Sequence, residues 1–210
     1  MNKISQYIFS TVLGLVVFFF WIILHPYDLS FQEQNQLFLF TWDYFRERIS
    51  VCGGLADYIA EFITQFNYIP YLGEAFMAML FIVFQRIIAM SIGRREWYVL
   101  SFITPVMMLV YMNDIYVMLC YLIALIIAVS MCALYRRHPG LLWACIATVL
   151  GYWLIGPAIF VFTLFAVLRE RNWNSLILVA VAVLSLVVSK WTYLQQYPWK
   201  TLAFGVNYYR

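Results

Sequence analysis

The chain has 210 residues, 65% hydrophobic, 20% aromatic and only 11% charged, with a formal net charge of +3. Soluble domains are typically about 45–50% apolar and about 25% charged. So few charges cannot cover a water-facing surface, which excludes an ordinary soluble enzyme and makes the bilayer the solvent for most of the chain. The basic residues stand in short clusters at the ends of apolar runs, which reports membrane orientation and not nucleic-acid binding.

Four cysteines make no disulfide framework: Cys120, Cys132 and Cys145 lie inside apolar runs, Cys52 lies in a polar loop, and no CxxC or HExxH occurs.

In chain order, the first apolar run is Tyr7–Leu24, stopped by Pro26. It is longer than a secretory h-region and lacks a small-residue cleavage site, so it reads as an uncleaved spanning helix. A second span is expected over 74–92, ending at Gly93-Arg94-Arg95. A third follows at 97–112, with a kink expected at Pro105. A fourth is expected over 115–135, ending at Arg136-Arg137-His138-Pro139-Gly140. Residues 141–168 carry no charge and are basic at both ends. They read as a short hairpin, 141–155 and 157–168, turning at Gly156-Pro157, with one long tilted helix as the alternative. The last span is 175–190, followed by the tail 191–210.

The predicted fold is therefore an all-α integral membrane domain over 1–210 with about seven transmembrane helices. With the N-terminus in the cytoplasm, Lys3, Arg94, Arg95, Arg136, Arg137, Arg169 and Arg171 all fall inside, as the positive-inside rule requires. Trp97, Tyr98, Tyr111, Tyr116, Trp173, Trp191 and Tyr193 then mark the membrane interfaces. This pattern fits a bacterial cytoplasmic (inner) membrane.

Between the first two spans, residues 25–73 hold six of the ten acidic residues. Polar residues recur at helical spacing in Gln36–Ser50, Gly53-Gly54 breaks the pattern, and Leu55–Ile69 resumes it. There Asp57, Glu61, Thr64 and Gln65 oppose Ile59, Phe62, Ile63, Phe66 and Ile69. Two amphipathic helices lying on the membrane surface are expected.

Carboxylates just outside a spanning helix can meet a lipid-linked substrate at the bilayer boundary. Asp28 and Glu33 stand early in the external loop, and Asp114 stands in the external turn between the third and fourth spans. One could act as a general base, or two could hold a divalent cation, Mg or Mn, with Asp114 as a ligand. Arg46, Arg48, Lys190, Lys200 and Arg210 are the external cations available to a donor phosphate, and pairing with Asp43 and Glu47 is the plainer role for Arg46 and Arg48. Arg86 sits about 12 Å along its helix from Arg94; it is either functional or held at the interface. His25 is expected to help end the first helix.

A first helix leading into a long external loop, an early acid (Asp28 or Glu33) and a second acidic position in Asn113-Asp114-Ile115-Tyr116 together resemble the GT-C class of membrane glycosyltransferases. That resemblance implies transfer of a sugar from a polyprenyl-phosphate-linked donor on the external face, with catalytic roles for Asp28, Glu33 and Asp114. The second position carries one carboxylate where that class often carries two. Residues 25–85 also resemble a family of bacterial polytopic membrane proteins, which brings no activity with it. The alternative from another class is a non-catalytic membrane subunit that docks partner proteins through the aromatic faces of its external helices.

Overall fold

The computed structural model describes residues 3–36, 38–114, 116–170 and 173–192, and among these there is no strand. Ten α-helices follow in order: α1 Lys3–Leu24, α2 Asp28–Asn35, α3 Trp42–Ile49, α4 Gly54–Thr64, α5 Leu72–Ile92, α6 Ile103–Tyr111, α7 Leu119–Arg137, α8 Leu141–Ile155, α9 Ile159–Glu170 and α10 Trp173–Thr192. Single-turn or longer 3-10 stretches occupy Gln65–Tyr68, Arg95–Phe102 and Gly156–Ala158. Among the described residues, four helical stretches reach the length and hydropathy of a membrane crossing by composition: Ile4–Leu24, Leu72–Ile92, Leu119–Arg137 and, counted end to end although it folds back, Leu141–Glu170.

The chain packs as two compact units, residues 1–38 with 60–119 and residues 39–59 with 120–210. In the first, α1 lies antiparallel against α5. Ser10, Leu13, Val17 and Trp21 form the buried stripe of α1. Its partner stripe on α5 is Gly73, Met77, Phe81, Phe84, Gln85 and Ile88. At the crossing, a Cβ on Gly14 would stand 2.4 Å from Ile82 Cδ1, so the backbones approach closely there. The opposite faces expose Ile8, Val12, Val16, Phe19, Met79 and Val83. Such continuous apolar exposure is unusual in water and ordinary in lipid.

A polar chain runs through this apolar contact. Ser10 Oγ lies 2.7 Å from Gln85 Oε1 and 2.9 Å from Tyr98 Oη. Gln85 Nε2 donates to Ser101 Oγ at 2.7 Å, and Tyr98 Oη donates to the Gln6 carbonyl at 2.8 Å. Ser10, Gln85, Tyr98 and Ser101 are all buried. Hydrogen-bonded polar side chains are how apolar helices acquire specific pairing in lipid. Tyr98 is thus an internal residue and not an interface residue, whereas Trp97, Tyr111, Tyr116, Trp173 and Trp191 are exposed as the belt expectation requires; Tyr193 lies outside the described residues.

The third apolar segment differs from its prediction as one helix kinked at Pro105. It is a 3-10 stretch of 8 residues followed by α6, of 9. Pro105 is the third residue of α6, where backbone N–H groups have no intrahelical partner, so proline breaks nothing. The fourth helix begins at Leu119, not near residue 115, because residues 112–114 and 116–118 turn through Asn113 and Asp114. α1 and α10 also extend beyond their expected ends.

In the second unit, α8, α9 and α10 pack on one another. The 141–170 stretch is a hairpin and not one long helix. Thr148 Oγ1 and Thr163 Oγ1 are 3.3 Å apart, although 15 residues of straight helix would separate them by about 22 Å. A Cβ on Gly151 would meet Ile159 Cδ1 at 2.4 Å, and the Trp143 and Phe162 rings are 5.5 Å apart. The fold-back happens at Gly156, whose φ of 70° and ψ of −152° lie in a region essentially restricted to glycine. Its arms, 15 and 12 residues, reach only about 22 and 18 Å. Tyr135 of α7 joins the same aromatic cluster, 5.9 Å from the Trp143 ring, and donates its hydroxyl to Glu170. Within this unit the loop before α4 docks on the end of α8: Gly53 N–H donates to the Trp153 carbonyl at 2.7 Å and Trp153 Nε1 to the Ile49 carbonyl at 3.0 Å. None of the four cysteines is in a disulfide.

The loop helices carry a larger correction. Three helices and a 3-10 turn replace the expected two, α2 being the addition. In α4 the expected wet stripe is turned inward. Glu61 and Thr64 are 6% and 0% exposed, whereas Phe62 and Ile69 are 41% and 49% exposed.

Candidate functional site

α1 ends where Pro26 supplies no N–H and restricts the residue before it, so His25 leaves the helix. The chain turns through Tyr27 and re-enters a helix at Asp28, whose carboxylate sits favourably in the first turn of α2. This reversal puts His25 Nδ1 2.5 Å from Asp28 Oδ2. The other ring nitrogen, Nε2, is 2.9 Å from Asn113 Oδ1. Asn113 belongs to the turn after α6, which is closed by Asp114 Oδ1 accepting from Tyr116 N–H at 3.0 Å. The His25 and Asp28 side chains are 16% and 21% exposed, so the pair is enclosed but open to a ligand.

Two further contacts hold this arrangement. Gln32, one turn beyond Asp28 and 1% exposed, donates to the Val117 carbonyl at 3.1 Å. Asn67 Nδ2 donates to the Leu29 carbonyl at 3.2 Å. The imidazole packs against Phe20 and Trp21, with ring centroids 4.9 and 5.5 Å away. Trp21 Nε1 is buried without a hydrogen-bond partner among the described residues, an orphan donor beside the histidine.

The heavy atoms fix the ring, not its protons. An imidazolium would satisfy both acceptors. A neutral ring would keep its N–H toward Asp28 and need the Asn113 amide turned to present its NH2. Either way the second oxygen of Asp28 has no described partner and can accept a proton.

Of the sequence-predicted residues, the structure brings Asp28 to the Asn113-Asp114 turn, through a histidine. Asp114 itself is exposed and serves its own turn. Glu33 is half-buried, five residues past Asp28 and so about 140° around α2 from it. Arg46 and Arg48 lie on α3 in the other unit. Arg46 is exposed, and Arg48 donates Nε and Nη2 to Tyr44 Oη at 3.1 and 3.0 Å. Lys190 is half-buried in the last turn of α10. Lys200 and Arg210 lie outside the described residues. Among the described residues there is no group of three or more His, Cys, Asp or Glu side chains placed to hold a metal ion. Sequence reasoning missed His25 and Asn113 as site residues. The available signal was a histidine three residues before an acid across a proline turn.

Over residues 1–210 the chain matches a family model described as a family of unknown function, DUF6057, and it belongs to that family. No curated protein and no solved structure matches it.

Proposed function

We propose that this DUF6057 member carries out proton-coupled group transfer at the external face of its membrane, as a GT-C-like glycosyltransferase or the membrane module of one. The observation that carries this is the His25 bridge between Asp28 and Asn113, which joins the early loop acid to the turn between the third and fourth apolar segments. Asp28 takes the proton of an acceptor hydroxyl. The acceptor oxygen then bonds to the anomeric carbon of a lipid-linked sugar, the bond to the donor phosphate breaks, and the lipid phosphate leaves. His25, held by Asn113, orients the carboxylate.

The orientation that supports this has the N-terminus and the arginine-rich turns in the cytoplasm of a bacterial cell. Of the seven expected crossings, the α8–α9 pair is then a re-entrant hairpin, because arms of about 18–22 Å fall short of a core of about 30 Å. It returns to its own side, so the sidedness of every other loop is unchanged. Irregular backbone at that depth is tolerated where protein satisfies it.

General acid–base groups contribute about 10²–10⁴-fold in rate. With lipid-linked sugar donors and the protein in proteoliposomes, D28N is expected to lose at least the lower figure while inserting normally. Unchanged turnover in D28N and H25Q would reject the reading. The second reading, a non-catalytic docking subunit, is favoured by the exposure of Phe40 (84%), Trp42 (69%) and Tyr68 (80%). It expects F40A and W42A to release a partner while D28N does not.

A further inference from the structure

At the other end of α1, about 28 Å from His25 along the helix, lies a pocket of about 170 Å³ lined by Gln6, Arg86, Ala89, Met90, Gly93, Arg94 and Tyr98. Arg86, Ala89 and Met90 share one face of the last turns of α5, Gly93 and Arg94 follow directly where the helix ends, and the small Ala89 and Gly93 leave the hollow between the two arginines. The Arg86 guanidinium lies over the Tyr7 ring, 4.2 Å from its centroid. That contact offsets part of the penalty for a cation on an apolar helix. Among the described residues it leaves the guanidinium's donors without a hydrogen-bond acceptor. Neither Arg86 nor Arg94 has a carboxylate within ion-pair distance among the described residues. A half-buried guanidinium without an acceptor, facing a hollow shared with a second arginine, lacks only its anion.

We infer that this pocket binds a phosphate group, presented by the headgroup of an anionic lipid. Arg86 and Arg94 grip the phosphate oxygens, and the Ala89–Met90 wall meets the start of the acyl region. Its volume exceeds by about tenfold the ~10–15 Å³ that one water needs, yet falls below the ~300–1,000 Å³ of whole small-molecule pockets. It therefore takes a headgroup phosphate and not a complete nucleotide. Basic pockets at the ends of apolar helices are where such headgroups dock.

The test is native mass spectrometry and thermal unfolding of the full chain in phosphatidylcholine nanodiscs, alone, with phosphatidylglycerol, and with inorganic phosphate. One tightly held phosphatidylglycerol is expected, with affinity reduced at least tenfold in R86Q and R94Q and unchanged in R136Q. A89F, which fills the hollow and leaves both charges, is expected to lose the lipid too, and it decides the matter should R86Q fail to fold. Stabilisation by inorganic phosphate equal to that by the lipid assigns the site to free phosphate and overturns the headgroup assignment. Equal lipid retention by wild type, R86Q and A89F, or equal loss in R136Q, overturns the site altogether.

Discussion

The backbone N–H of Gly53 donates to the carbonyl of Trp153 at 2.7 Å, a bond between residues a hundred positions apart. In a continuous helix that carbonyl would accept from residue 157, which is proline and has no N–H. The loop before α4 thus repairs the gap that the hairpin turn opens. Cys52 adds its thiol to the Tyr152 carbonyl at 3.0 Å. The positive φ of Gly53, 86°, aims its N–H there.

This contact predicts an unusual intolerance at the neighbouring glycine. A Cβ on Gly54 would lie 1.7 Å from the Arg48 carbonyl oxygen, a backbone atom that cannot step aside. G54A is expected to destabilise by more than about 2 kcal/mol, as strained and overpacked sites do. It should also open the buried Cys52 to maleimide. G140A, where the nearest side-chain atom is 3.9 Å away, is expected to leave both labelling and melting temperature nearly unchanged.

The fold-back of α9 on α8 predicts a crosslink. T148C with T163C should form a disulfide under mild oxidation, because the two hydroxyls are 3.3 Å apart. A straight 141–170 helix would hold these positions about 22 Å apart, far beyond disulfide reach. Failure to crosslink alongside efficient modification of each single cysteine would contradict the hairpin.

The buried chain through Ser10, Gln85, Ser101 and Tyr98 predicts coupling. Q85L removes the two side-chain hydrogen bonds that Gln85 makes to Ser10 and Ser101, and its expected destabilisation, at about 0.5–1.5 kcal/mol per bond, is about 1–3 kcal/mol. In a double-mutant cycle, Q85L and S10A should be non-additive by about 0.6–1.7 kcal/mol, from the average to the maximum found for polar contacts between membrane helices. Simple additivity would mean that the two side chains do not share a bond.

At the His25 cluster, H25F and D28N should likewise be non-additive in unfolding free energy, by about 1.5–3 kcal/mol for a hydrogen bond to a charged group. N113L should remove the Nε2 contact alone. Its expected effect on stability is smaller than that of D28N, since the Asn113 side of the cluster is exposed. An N113L variant more damaging than D28N would show the turn, not the carboxylate, to be the anchor.

The apolar runs were legible because the bilayer demands length and hydrophobicity of each helix separately. Tyr7–Leu24 and 74–92 needed no knowledge of their neighbours. The α8–α9 hairpin was also readable, from a glycine-proline pair between two basic ends. What escaped depends on partners. Periodicity separates the Glu61–Thr64 stripe from Phe62 and Ile69 but cannot say which side faces water when lipid is the alternative solvent. There the polar side went in, where Thr64 bonds Gln36 Oε1 at 3.1 Å. His25 looked like a helix terminator because its acceptors, Asp28 and Asn113, are supplied by a proline turn and by a loop 88 residues away. Pro105 looked like a kink because nothing local marks Arg95–Phe102 as 3-10.

That stretch changes how far the third apolar segment reaches. Rising about 2.0 Å per residue where an α-helix rises about 1.5 Å, its eight residues extend some ~4 Å further than α-helical winding would. Laid end to end with α6 they measure about 30 Å over seventeen residues, the first two of which, Arg95 and Glu96, are charged. A tally of residues at α-helical rise therefore understates the reach of this segment.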